Sequence, residues 1–203
     1  AGLPAASLLR VAGVDVPFET DVTFGGEWSV AASPRLNGTL AIRQERGDVR
    51  FDAGAGAVRE EASIGLARAD VEARFVDDAV DGTATLASAR GVDATFAFSL
   101  GRSPTAAPGT LATDAPLRAR FDGEWPTLRW LQPWLRTTAT ADGRLRVALE
   151  AGGTLAAPVV SGRIAGDALR LDAPRWGMHF SEGTLAAHVE GDAIVLDGLG
   201  FRA

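Results

Sequence analysis

The chain of 203 residues contains no cysteine, which excludes disulfides, thiolate metal sites and cysteine nucleophiles. It contains no lysine; its basic residues are all arginine, read here as codon bias. It also has no tyrosine, one methionine and two histidines, His179 and His188. No apolar run approaches the roughly 20 residues that span a bilayer as a helix. Net charge is −6, which argues against nucleic acid as a partner.

Catalytic groups are equally sparse. His179 and His188 are an odd number of residues apart, so on a regular strand without a bulge they face opposite ways. A two-histidine metal site is not expected. Asp77, Asp78 and Asp81 match no calcium-loop spacing and read as a solvated turn. Nucleophile-elbow, phosphate-loop and dinucleotide-binding patterns are missing. No catalytic residue, metal or cofactor is nominated.

What is present is alternation. Val14, Val16 and Phe18 alternate with other residues, as do Val71, Ala73 and Phe75. Val92, Ala94, Phe96, Phe98 and Leu100 form the longest strict run, with Leu117, Ala119 and Phe121 after it. Period two is the signature of strands with one apolar face. From Asp142 the pattern repeats at about twenty-residue spacing, opened by Gly143-Arg144-Leu145, Gly162-Arg163-Ile164 and Gly183-Thr184-Leu185. Gly25-Gly26 and Asn37-Gly38 read as turns, the latter a hairpin signal. Gly54 to Ala57 reads as flexible.

Two short helices are expected. One covers Leu3 to Val11, with Pro4 in its first turn; the other follows Pro126, with Leu128, Leu131 and Leu135 on one face. Trp130 and Trp134 on the latter read either as a buried plug or as an interfacial anchor. Gly101 to Asp114, rich in Pro, Gly, Ala and Thr, is the candidate subdomain break in an otherwise single elongated domain. Both termini fall mid-pattern, so a piece of a longer protein is expected. The fold class expected is all-β: an open, curved antiparallel sheet with an apolar concave groove and one or two short helices.

The tail carries a family resemblance. Asp142-Gly143-Arg144-Leu145, then Gly153-Thr154-Leu155-Ala156-Ala157-Pro158, then Ser161-Gly162-Arg163-Ile164 resembles the C-terminal domain of the TamB family. Leu169 to Pro174, Gly177 and Gly183-Thr184-Leu185 extend the match, which is best over residues 115–203. TamB-like proteins are inner-membrane subunits of the translocation and assembly module of Gram-negative bacteria. The resemblance implies a β-taco sheet in the periplasm, in a protein anchored to the inner membrane by a segment outside this chain. It implies outer-membrane biogenesis, autotransporter assembly and phospholipid transport. The implied partners are an outer-membrane barrel of the TamA kind, and phospholipid or unfolded outer-membrane protein clients.

A one-sided sheet must bury its apolar face against something. An open groove lined by Phe96, Phe98, Leu145, Val147, Leu149, Ile164, Leu185, Val189, Ile194 and Leu196 shelters acyl chains or client strands. The alternative is a closed β-sandwich acting as a binding module, for instance for carbohydrate, although tyrosine is missing. An enzyme ranks third.

Overall fold

The structure, a computed structural model, describes residues 2–6, 19–52, 61–135 and 139–202. It is all-β. The main sheet has eleven antiparallel strands in the order β1-β3-β4-β7-β8-β9-β10-β11-β12-β13-β14. These are β1 Leu3–Pro4, β3 Thr23–Ala31, β4 Asn37–Arg46, β7 Leu66–Val76, β8 Ala79–Ser88 and β9 Asp93–Leu100. They continue with β10 Leu117–Trp125, β11 Thr140–Gly153, β12 Pro158–Ala173, β13 Met178–Glu190 and β14 Ala193–Arg202. Among the described residues β1 pairs only with β3, and β14 only with β13, so the sheet is open and does not close into a barrel.

A second sheet holds β2 Glu19–Thr20, β5 Val49–Asp52 and β6 Glu61–Ser63, in the order β2-β5-β6. This is the order of β3, β4 and β7, the strands that β2, β5 and β6 adjoin in the chain. The small sheet is therefore the far limb of the same three strands, bent at a crease through Asp21-Val22, Gly47-Asp48 and Ile64-Gly65.

The crease has an electrostatic pin. The Asp48 carboxylate accepts hydrogen bonds from the amides of Val49 (2.8 Å), Leu66 (2.8 Å) and Gly65 (3.0 Å), and from the Ser63 hydroxyl. Next to it, Asp21 accepts from the Asp48 amide at 2.7 Å and pairs with Arg50 at 2.7 Å. Burial pushes the Asp48 carboxyl up, but the bonds from Leu66, Ser63, Val49 and Gly65 outweigh it and hold it below the usual carboxylate range.

Across β11 to β13 the same line is made by bulges. Ala168 and Glu182, both at φ 49°, are the extra residues where the registers of β12 and β13 shift. Leu169 beside them is only 8% exposed, and Ala173 beyond them 1%. Val22, at the first crease, is also buried. No described side chain larger than these is buried to that degree; the scarce core lies partly near the bend and partly at the opposite end of the strands, around Val80 (3% exposed) and Ala115 (2%), and not between two stacked sheets.

Several expectations are corrected here. Leu3 and Pro4 are strand, not helix; Pro4 lies at the sheet edge, where its missing N–H leaves no neighbour unsatisfied. Ala5 and Ala6 are helical, and the rest of that expected helix, with the Val14-Val16-Phe18 alternation, lies outside the described residues. So does Gly54 to Ala57. Gly25-Gly26 sits inside β3 and does not break it, with Gly26 opposite Ile42. Asn37-Gly38 opens β4, opposite Ala31 and Val30; the turn lies before it. Gly38, at φ 146°, is held there because a Cβ would sit 2.7 Å from the Val30 Cα. The expected helix after Pro126 is a 3-10 turn, Arg129–Leu131, followed by one α-turn, Gln132–Leu135. The side chains of Trp130 and Trp134 lie outside the described set.

The segment 101–116 joins β9 to β10, which pair directly from Leu100 opposite Leu117. It is tied down by Asp78, whose carboxylate accepts from the amides of Leu36 at 2.7 Å and Gly109 at 2.8 Å. Asp77-Asp78 does form a turn, at φ 49° and 71°, but Asp78 is buried and not solvated.

Candidate functional site

In an antiparallel ladder, residues directly opposite share a face. One such row runs Gly26, Ile42, Val71, Ala84, Phe96, Phe121, Leu149, Gly162, Val189, Ile194 across ten strands. A second runs Trp28, Leu40, Ala73, Gly82, Phe98, Ala119, Ala151, Val160. A third runs Leu86, Ala94, Gly123, Val147, Ile164, Ala187, Leu196, and a fourth Trp125, Leu145, Gly166, Leu185, Leu199. Every member is apolar. All ten residues singled out from the sequence fall in these four rows, on one face. The sequence reading missed that the face continues through Trp28, Leu40, Ile42, Val71 and Phe121.

The opposite face is polar. Its rows contain Arg120 opposite Glu150, Glu124 opposite Arg146, and Arg144 opposite Asp167, with ion pairs at 3.3–3.5 Å. Alanines serve as a size-matched control. On the polar face Ala148, Ala165 and Ala186 are exposed and Ala41 and Ala97 half-buried, while on the apolar face Ala151 is half-buried and Ala73 and Ala187 are buried, at 9% and 7% exposed. The apolar face is the more crowded of the two.

Crowded is not covered. Phe96, Trp28, Ile194, Leu196 and Leu199 all remain exposed. No second sheet lies over this face among the described residues: β2, β5 and β6 have two, four and three residues and continue strands of the first sheet. The closed sandwich is overturned by this open architecture.

Glycines keep the face low in relief. A Cβ on Gly82 would lie 2.5 Å from the Phe98 ring, and one on Gly123 2.8 Å from the Trp125 ring. The rings therefore lie over glycine backbone instead of standing away from the sheet. Phe96 and Phe98 stack with centroids 5.7 Å apart, and Phe180 meets Phe201 at 5.6 Å. What results is a floor of aliphatic and aromatic carbon with no polar group in these four rows.

Both histidines lie on the polar face, contrary to the regular-strand expectation, because the bulge at Glu182 between them changes the phase. His188 pairs through Nδ1 with Asp197 at 2.8 Å, and His179 with Asp172. No group of three metal-ligating side chains occurs among the described residues. A depression of about 980 Å³ is lined by polar-face residues, among them Arg120, Glu150, Arg163, His188 and Asp197, together with Leu149, Gly162, Ile164, Ala187 and Val189 of the rows. Among the described residues no helix is long and apolar enough to cross a membrane. No family model, no curated protein and no solved structure matches this chain.

Proposed function

We propose that the sheet shelters apolar cargo on this face, as part of a periplasm-spanning component of outer-membrane biogenesis. The observation that carries the reading is the uncovered apolar face shared by ten consecutive strands. Cargo of two kinds offers matching chemistry: the acyl chains of phospholipid, and the apolar side of unfolded outer-membrane protein strands. The rest of the assignment follows the tail motifs: a periplasmic location, inner-membrane anchorage outside this chain and a barrel partner in the outer membrane.

The physics favours a track over a pocket. A chain of ~16 carbons gains at most ~13 kcal/mol on leaving water, at ~0.8 kcal/mol per CH₂. A closed cavity would hold it; an open floor with similar rungs lets it move from row to row at nearly constant free energy. Rings laid over Gly82 and Gly123 lower the steps between rungs. The polar face, with its exposed cross-strand ion pairs, keeps the sheet wetted on the other side.

Native mass spectrometry of purified protein tests this, together with photocrosslinking to an amphipathic strand peptide. Retained phospholipid or peptide is expected, lost in Leu149→Asp, which places a carboxylate mid-floor between Phe121 and Gly162. Protein empty of lipid and inert to the peptide overturns the proposal.

A further inference from the structure

We infer that the connection 101–116 is a strap across the strand ends, which holds the sheet curved and so sets the spacing along its apolar rows. The segment is built as a unit. Its ends meet, the Gly101 amide donating to the Pro116 carbonyl at 2.7 Å. Inside it the Ser103 hydroxyl oxygen accepts from the amides of Thr105 at 3.1 Å and Ala106 at 3.0 Å. The Thr105 hydroxyl donates to Asp114 at 2.5 Å. A loop closed at its base and packed by its own side chains is an Ω-loop, a form often kept for function. Asp78, Val80, Ser103 and Ala115 are all buried at this end of the strands.

The segment joins turns that are not neighbours. On one side the Gly109 amide donates to Asp78, in the turn between β7 and β8, at 2.8 Å. A Cβ on Gly109 would lie 2.1 Å from the carbonyl oxygen of Ala32, just after β3. On the other side the Thr113 carbonyl accepts from the Ala156 amide at 2.7 Å, and the Ala115 carbonyl from the Leu155 amide at 3.1 Å. Leu155 and Ala156 form the turn between β11 and β12.

In sheet order the β3–β4 and β11–β12 turns are six strand steps apart. Laid flat, six steps of about 4.8 Å cover about 29 Å, and twist lengthens the path between strand ends. From Gly109 to Thr113 the chain reaches at most about 14 Å, and the contacts at its two ends add about 8 Å. The strap therefore draws the two turns about 7 Å or more inside their flat-sheet separation. The second apolar row crosses the strapped strands, from Trp28 on β3 to Val160 on β12. The length of the strap gauges how far Trp28 stands from Val160, whatever the face carries.

Distance measurement between two nitroxide labels tests it. The labels are carried by Ser29→Cys and Val159→Cys, exposed polar-face positions on β3 and β12, in a chain with no other cysteine. Inserting Gly-Ser-Gly-Ser between Thr110 and Leu111 gives the strap slack without removing any of the contacts named above, a change that surface loops tolerate well. Gly109→Val instead unseats it, because the new side chain meets Ala32 at a φ of 81°. In both variants the label distance is expected to lengthen by about 5 Å or more as the strand ends relax toward their flat spacing, with the β-sheet circular dichroism unchanged. An unchanged distance in either variant overturns the inference, since the segment would then only lie on a sheet curved by other forces.

Discussion

Replacing Asp48 with alanine removes one carboxylate that ties two limbs of the sheet together. Four donors lose their acceptor: three amides, at 2.8, 2.8 and 3.0 Å, and the Ser63 hydroxyl. A buried hydrogen bond to a charged group is worth about 1.5–3 kcal/mol, but at this half-exposed site water takes over part of each. Discounted to about 0.5–1 kcal/mol per donor, the expected loss is about 2–4 kcal/mol. Asparagine separates the contributions. Its amide oxygen in place of Oδ1 keeps the Val49 and Leu66 bonds, while its NH₂ meets the Gly65 N–H donor to donor, so about half the loss is expected. The pH sign follows from the depressed pKa. The contribution is complete above the unfolded value near 3.8 and disappears as pH falls through the lower folded value. Urea unfolding of the three proteins between pH 2 and 8 measures it. A wild-type advantage below about 0.5 kcal/mol at pH 7, or one that persists undiminished at pH 2, refutes the pin. Hydrogen exchange is expected to rise first in β5 and β6.

Three further perturbations follow from the packing. Leu169→Ala, at the second crease, is expected to cost about 2–3 kcal/mol in urea unfolding, since the side chain is almost wholly buried. Gly162→Val puts a Cβ 2.7 Å from the Leu149 Cα, separating β11 from β12; a loss of about 2 kcal/mol or more is expected by thermal unfolding. Asp78→Ala frees the Leu36 and Gly109 amides, and cleavage of the 101–116 connection by a nonspecific protease is expected to accelerate while the strands stay intact.

Period-two alternation made the floor legible before any coordinates. Phe96, Leu149, Val189 and Ile194 fall on one row because each strand keeps its phase between bulges. What alternation does not encode is where phase slips. Ala168, Glu182 and Asp197 are ordinary residues locally; their bulges arise from pairing with a neighbouring strand of different count. The phase slip at Glu182 also defeated the opposite-face expectation for His179 and His188. The crease was hidden for a related reason. Asp48 reads as one more polar turn residue, and only the fold brings Gly65 and Leu66, seventeen and eighteen residues away, to its carboxylate. Pro4 and Gly25-Gly26 misled because edge position and ring-free packing are properties of neighbours.

The near-sequential strand order also governs how the molecule comes apart. Apart from β4 against β7, each strand from β3 onward pairs with the next long strand in the chain. Stability is then close to a sum over adjacent hairpins, as in a linear chain of coupled units. Opening of one hairpin is expected to leave distant hairpins paired, and an added or deleted hairpin would change the length of the molecule while leaving its cross-section alone.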